Sequence, residues 1–118
     1  MAWTSQKTDG AIMVFQLTAT SSGTSIANTL TEGPNTGFIV QISVADGSTD
    51  PGAWTMVLTD SHGVDMLDGQ GSIPDNGILL TQADLGNGMA FVGPLTFSAS
   101  GMENNSDIVI VVYAARYQ

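Results

Sequence analysis

The sequence predicts an all-β protein: a single-domain antiparallel β-sandwich, jelly-roll-like or immunoglobulin-like, with about seven or eight strands. Three observations predict this class. Apolar and polar residues alternate with period two along much of the chain, as in strands that bury one face. Turns rich in glycine, proline, asparagine and aspartate recur about every ten residues. Helical periodicity is scarce, and a chain of 118 residues suits one domain.

The first ten residues are polar and contain Trp3 and Lys7. We interpret residues 1–10 as an N-terminal arm and residues 11–118 as the sandwich domain. An arm with an aromatic side chain near its tip is suited to docking on another surface.

Four segments have the alternation of a half-buried strand. Between the third and the fourth, the sequence predicts only one helical turn, with Thr81 as its cap and Asp84 three residues later. The residues predicted to face the core are Ala11, Met13, Phe15, Leu17 and Ala19; Phe38, Val40, Ile42 and Val44; Trp54, Met56 and Leu58; and Leu95 and Phe97.

The last strand has a different pattern. The segment "SDIVIVVYAARY" is apolar on both faces from Ile108 to Ala115. Such a strand is central in a sheet and covered on both sides, or it lies at a subunit interface. Its length of about twelve residues also exceeds the five or six of an ordinary strand.

The charge composition excludes several classes of partner. Only 11% of the residues are charged, and the two cations, Lys7 and Arg116, stand against 11 acids to give a net charge of −9. Nucleic acid is not an expected partner, because binding it requires clustered lysine and arginine. No apolar run approaches the roughly 18 residues of a membrane span, and no signal-peptide pattern is present, so we expect synthesis in a host cytoplasm and no membrane partner. The absence of cysteine excludes disulfides and thiolate chemistry.

Asp60, Ser61 and His62 are adjacent and contain the residue types of a nucleophilic triad. Neighbours in an extended chain point in alternating directions, so these side chains do not converge easily. We interpret the stretch as a tight turn in which Asp60 or Ser61 bonds backbone amides, and we predict no catalytic residue. The other acids available for a paired-carboxylate site are Asp65, Asp68 and Asp75, which lie in glycine-rich or turn-rich stretches.

The segment "DGSTDPG" places Asp46, Ser48 and Asp50 at alternating positions, like the start of a calcium loop. The EF-hand pattern requires glycine at position six and glutamate at position twelve, where this chain has Pro51 and Val57. We therefore predict a polar hairpin tip, with no metal and no cofactor. The sequence does not exclude a structural cation held by a few carboxylates.

Two longer segments, "TMVLTDSHGVDMLDGQGS" and "GPLTFSASGMENNSDIVIVVYAAR", resemble small β-rich structural proteins of tailed bacteriophages. In this chain and in those proteins, one strand ends in Leu-Thr-Asp and is followed by Gly-Val-Asp and a glycine-rich step. The motif "GPLT" then opens a strand that leads to a final apolar strand. The resemblance extends from Phe38 onward and does not include the N-terminal part. The matching residues are Leu58, Thr59, Asp60, Gly63, Val64, Asp65, Gly69, Gly71, Gly93, Pro94, Leu95, Thr96 and residues 108–113.

This resemblance implies a virion protein on the capsid surface, most similar to capsid decoration, or cement, proteins. Such proteins are compact and acidic, assemble as homotrimers, and bridge neighbouring subunits of the major capsid protein. The implied partners are thus the major capsid protein and further copies of the chain, and no enzymatic activity is expected. The contacts are expected in the arm and near the end of the last strand, at Trp3, Lys7, Tyr113, Arg116 and Tyr117.

Three alternatives remain at this point. A receptor- or glycan-binding head or tail module would need exposed aromatic residues or a carboxylate cluster at one end of the sandwich. A small hydrolase would need acids that converge in a cleft. A tail or neck component is not distinguished from a decoration protein by the sequence.

Overall fold

The computed structural model describes residues 5–9, 12–29, 36–67, 69–81, 84, 90–92 and 95–115, which form ten β-strands and no helix. No helix in this part of the chain could therefore cross a membrane. The strands are β1 (Ser5–Asp9), β2 (Ile12–Thr20), β3 (Ile26–Thr29), β4 (Thr36–Asp46), β5 (Trp54–Thr59), β6 (Ser72–Ile73), β7 (Ile78–Thr81), β8 (Ala90–Val92), β9 (Thr96–Ser100) and β10 (Asp107–Ala115).

The strands form two antiparallel sheets. The larger sheet has the order β1-β2-β10-β4-β7, with β8 also paired to β4, and the smaller has the order β3-β9-β5-β6. From β2 onward, the order β2-β10-β4-β7 against β3-β9-β5-β6 is that of a jelly roll. The predicted all-β sandwich is confirmed, and of the two predicted types the connectivity is jelly-roll-like. The structure has ten strands, against the predicted seven or eight. Two of them, β6 and β8, have only two and three residues, and the other eight have four or more.

Part of the predicted N-terminal arm is a strand. Within residues 1–10, Ser5–Asp9 form β1 and pair with β2, from Ser5 opposite Gln16 to Asp9 opposite Ile12. These residues therefore extend the edge of the larger sheet. Trp3 lies outside the described residues.

The core lies between the inner faces of the two sheets. The predicted alternation is confirmed for the described residues of β2 and β5 and for Leu95 and Phe97, whose predicted core-facing side chains are all buried. The rings of Trp54 and Phe97 meet edge to face, with centroids 6.5 Å apart, where β5 pairs with β9. Each large side chain buried in this way contributes about 1.5–3 kcal/mol to folding.

The prediction for the first half of β4 is wrong, because the strand contains a β-bulge. Two consecutive residues of β10 pair with Gln41 and Ile39, which leaves Val40 as the extra residue. An extra residue reverses the facing of everything on one side of it. Ile39 is therefore buried and Phe38 is 36% exposed, whereas Ile42, beyond the bulge, is buried as predicted.

Strand β10 is central, between β2 and β4. Its inward residues, from Ile108 to Ala114, are fully buried. Its outward residues are only half-buried in the single chain, so the sandwich covers one of its two apolar faces. The half-buried outward residues from position 109 onward are Val109, Val111, Tyr113 and Ala115.

Replacing Gly77 by alanine should destabilise the fold much more than the same change at Gly63. Both glycines have positive φ, +81° and +78°. A Cβ at Gly77 would lie 2.1 Å from the carbonyl oxygen of Val44, whereas a Cβ at Gly63 would meet nothing within 4 Å. We expect G63A to lower the free energy of unfolding by about 1–2 kcal/mol through backbone conformation alone. G77A should cost at least about 3 kcal/mol, because the strand backbone must also move.

Urea denaturation of the two variants beside the parent protein measures this difference. Equal losses would show that the turn before β7 is not held tightly against β4.

Candidate functional site

The two outer faces of the sandwich differ in chemistry. On the smaller sheet, the outward residues of β5 and β9 carry hydroxyl groups except for Val57. On the larger sheet, the outward residues of β10 from Val109 onward and of the adjacent start of β2 are apolar, and Leu79 on β7 is 52% exposed. We call this second surface the β10 face. It consists of Ile12, Val14, Leu79, Val109, Val111, Tyr113 and Ala115.

Strand register brings two of the predicted contact residues into one row. Lys7 of β1 pairs with Val14 of β2, and Val14 pairs with Tyr113 of β10. Adjacent strands are about 4.8 Å apart, so the backbones of Lys7 and Tyr113 lie roughly 10 Å from each other. Residues near the two ends of the sequence thus lie in one row across the larger sheet. Arg116 and Tyr117 lie outside the described residues.

A shallow cavity of about 580 Å³ opens beside this row. Its lining residues are Ile12, Val40, Gln41 and Tyr113. Val40 lines the cavity because it is the extra residue of the bulge, so the irregularity that breaks the predicted alternation also shapes this surface. The cavity offers apolar walls, one aromatic ring and one amide.

Asp60 holds together the turn that contains the triad-like sequence Asp60-Ser61-His62. Its Oδ1 accepts hydrogen bonds from the amides of His62 and Val64, at 2.9 and 3.1 Å, and its Oδ2 accepts one from the Val92 amide at 3.3 Å. The residue is only 7% exposed. The interpretation of Asp60 as a turn residue that bonds backbone amides is confirmed.

Burial by itself would raise the pKa of Asp60, but the three amide donors and the nearby His62 outweigh it and lower the pKa. The His62 ring is 70% exposed, and its Nδ1 lies 4.0 Å from Asp60 Oδ2. The carboxylate is therefore an anchor for backbone amides, and His62 is peripheral to it.

Of the acids considered for a paired-carboxylate site, Asp60 and Asp75 lie far apart, and Asp65 bonds the backbone of its own loop. Asp65 accepts the amides of Leu67 and Gly69, both at 3.0 Å. Asp60 lies near the start of β4, because it accepts the amide of Val92, which pairs with the first residue of that strand. Asp75 lies at the opposite end, beside Asp46, the last residue of β4. Eleven residues of strand separate these ends by about 30 Å. The carboxylates of Asp60 and Asp75 thus do not converge, and Asp68 lies outside the described residues.

A different set of carboxylates meets at the end of β4. One oxygen from each of Asp46, Asp50 and Asp75 lies within 4.8 Å of the others. Burial, the charges of Asp50 and Asp75 and a contact with the Asp50 carboxyl raise the pKa of Asp46. Ser48, which the sequence placed between Asp46 and Asp50, instead donates to Asp107 Oδ2 at 2.6 Å. We call Asp46, Asp50 and Asp75 the Asp46 cluster.

No protein-family model matches the chain, and no curated protein is significantly similar to it. The resemblance to phage structural proteins therefore stays a prediction that rests on the turn and strand residues alone.

Replacing Asp60 by alanine should lower the free energy of unfolding by about 2–3 kcal/mol at pH 7, because three amides lose a charged acceptor. The folded-state pKa is lowered, so this contribution is present above the unfolded pKa of about 3.9 and is lost as the pH falls through the folded-state value. The difference between parent and D60A should accordingly shrink in acid. Urea denaturation between pH 7 and pH 3 measures it.

His62→Ala is the matched control for this region. Because the ring is largely exposed, we expect a change below about 0.5 kcal/mol. A large loss in H62A with a small loss in D60A would contradict the assigned roles.

Proposed function

We propose that this protein is a capsid decoration protein of a tailed bacteriophage, which stabilises the shell by bridging subunits of the major capsid protein. It does so as a homo-oligomer, a trimer by resemblance. The observation that carries the proposal is the β10 face, an apolar surface at the centre of the larger sheet that the single chain leaves half-open.

The size of the face is appropriate for a protein–protein interface. Strands β2, β10 and β4, which are spaced about 4.8 Å apart and are about nine residues long or longer, together with the four residues of β7 present a footprint of roughly 500 Å². A standard interface covers about 800 Å² on each partner, and the accessible area of a corrugated surface exceeds its footprint. Contact through this face and its margins is therefore sufficient for a stable complex.

The composition of the face also supports association over catalysis. Val111 lies between Gln16 on β2 and Ser43 on β4, and Tyr113 lies between Val14 and Gln41. This arrangement places an apolar strip between amide and hydroxyl groups, like the apolar centre and polar rim of many interfaces. Tyrosine is also a residue type that often dominates binding energy.

The proposed mechanism is mass action. A protein that binds only the assembled, expanded shell stabilises that state, by an amount per site that grows with the logarithm of its free concentration relative to the dissociation constant. No bond is made or broken, so no catalytic residue is required. The virion surface is the corresponding location.

A receptor- or glycan-binding head or tail module is the second candidate function. The Asp46 cluster favours it, since carboxylates grouped at one end of the sandwich are a feature that such a module requires. Binding of that kind would be competed by soluble sugar and lost on neutralising Asp75, with no effect of changes on the β10 face.

Val111→Asp should disrupt self-association and capsid binding. A carboxylate at the centre of the β10 face would be desolvated without a partner, which weakens an interface at least tenfold. Val57→Asp is the matched control, because Val57 is an outward valine, 42% exposed, on an internal strand of the other sheet.

Light scattering gives the oligomeric mass, expected at a multiple of 12.2 kDa for the parent and V57D, and at 12.2 kDa for V111D. Co-sedimentation with expanded capsids of the coat protein encoded with the chain then measures shell binding. A monomeric parent protein that does not sediment with such capsids would overturn the proposal.

A further inference from the structure

The Asp46 cluster is assembled by the sheet and not by a local sequence motif. Asp46 ends β4, Asp50 lies four residues later in the connection to β5, and Asp75 lies in the turn before β7. Strand β7 pairs with β4 up to Val44 opposite Ile78, which brings that turn beside the end of β4. The close approach of Gly77 to the Val44 carbonyl fixes the turn in this position.

One oxygen in the cluster is buried without a partner. Oδ1 of Asp46 exposes less than 1 Å² and has no hydrogen bond, and it is the only such side-chain atom among the described residues. A buried carboxylate oxygen without a donor costs free energy unless the group is protonated or the oxygen contacts a cation. Five other described aspartates show the contrast, because each accepts a backbone amide or a hydroxyl group: Asp50, Asp60, Asp65, Asp84 and Asp107.

No basic side chain is placed to neutralise the cluster within the described part of the chain. The one formal cation there is Lys7 of β1, and β2 and β10 lie between β1 and β4. Three strand spacings amount to about 14 Å across the sheet. Lys7 also sits in the row of Gln41, five residues along β4 from Asp46, which adds roughly 17 Å along the strands.

We propose that Asp46, Asp50 and Asp75 bind a calcium ion that joins the end of β4 to the loop before β5 and the turn before β7. The donors are all carboxylate oxygens, which suit a hard cation and not zinc, for which nitrogen and sulfur ligands are usual. Two oxygens that share a calcium ion at about 2.4 Å can be at most about 4.8 Å apart. The three oxygens of the cluster lie within that limit. Calcium also accepts irregular coordination completed by water, whereas magnesium requires a near-ideal octahedron.

The site has the features of a weak, open calcium site. Asp50 and Asp75 are exposed, and Asp50 Oδ1 also accepts the Gly52 amide at 2.8 Å, so water completes the coordination. Three carboxylates at an exposed edge correspond to dissociation constants of about 10⁻⁴–10⁻³ M. Binding cross-links loops that lead to both sheets, and it is independent of the proposed capsid role.

Calcium should raise the thermal midpoint of the purified full-length chain. At 5 mM calcium chloride and constant ionic strength we expect an increase of about 3–6 °C over the protein in EDTA, and at most half of that increase with 5 mM magnesium chloride. Calorimetric titration should show saturable binding of about one calcium ion per chain, with the affinity expected of such a site.

Asp75→Asn and Asp84→Asn form the matched pair of variants. Both remove one negative charge from an exposed aspartate, but Asp84 accepts hydrogen bonds from Thr81 and is not in the cluster. D75N should weaken calcium binding at least tenfold, whereas D84N should keep the affinity of the parent. In EDTA, D75N should melt at or above the parent temperature, because one repulsive neighbour of Asp46 is gone.

Two results would overturn the proposal. One is an equal response of the parent to calcium, magnesium and added sodium chloride, which would mean that cations only screen the net charge. The other is equal calcium affinity in D75N and D84N, which would place the ion elsewhere on the acidic surface. Neither result depends on whether the protein associates with itself or with capsids.

Discussion

The pairing of β10 with both β2 and β4 is the constraint on which the rest of the structure depends. It joins the last described strand to one that begins at Ile12, over the full length of β2 and most of the length of β4. A strand with two neighbours and a packed inner face needs apolar residues on that face, and its outer residues are shielded by neighbours on both sides. The same placement explains why the sequence of β10 is apolar at every position from Ile108 onward. It also explains why the outer half of that pattern becomes the β10 face.

The shortage of cations determines how the ends of the sandwich are held. With 2 basic residues against 11 acids, carboxylates cannot be satisfied by salt bridges. They bond the backbone instead: Asp60 fixes the turn after β5 to β8, and Asp107 accepts Ser48 and Thr20, which lowers its pKa. Asp46 departs from this pattern, since its neighbours are other carboxylates and one of its oxygens has no donor.

Local patterns predicted the local features of this fold, and non-local pairing determined the rest. Alternation located the buried faces of β2 and β5 because each is regular and unbulged. Thr81 and Asp84, predicted as the cap and the third residue of a helical turn, are in contact, since the Asp84 carboxylate accepts the Thr81 amide at 2.9 Å. The two residues between them lie outside the described part of the chain. The bulge at Val40 leaves no mark in the alternation, because apolar residues occupy both faces of that segment.

The candidate sites were predictable only in part, for the same reason. The sequence placed Asp46 and Asp50 together because they are four residues apart. The sequence pattern grouped Ser48 with them, whereas the third residue of the cluster is Asp75, which the pairing of β4 with β7 brings from a distant turn. In the same way, Tyr113 and Lys7 were proposed separately as contacts, and only the register through Val14 places them in one row.

The separation of charge from apolar surface reconciles a net charge of −9 with the self-association that we propose. Between Val109 and Ala115, β10 and its partners on β2 and β4 contain no charged residue. The Asp46 cluster and Asp60 lie at the two ends of β4. Charges at those ends act over about 8–10 Å at physiological ionic strength, so screening weakens them at the middle of an interface centred on Val111. Repulsion between copies then concentrates at the margins of the interface.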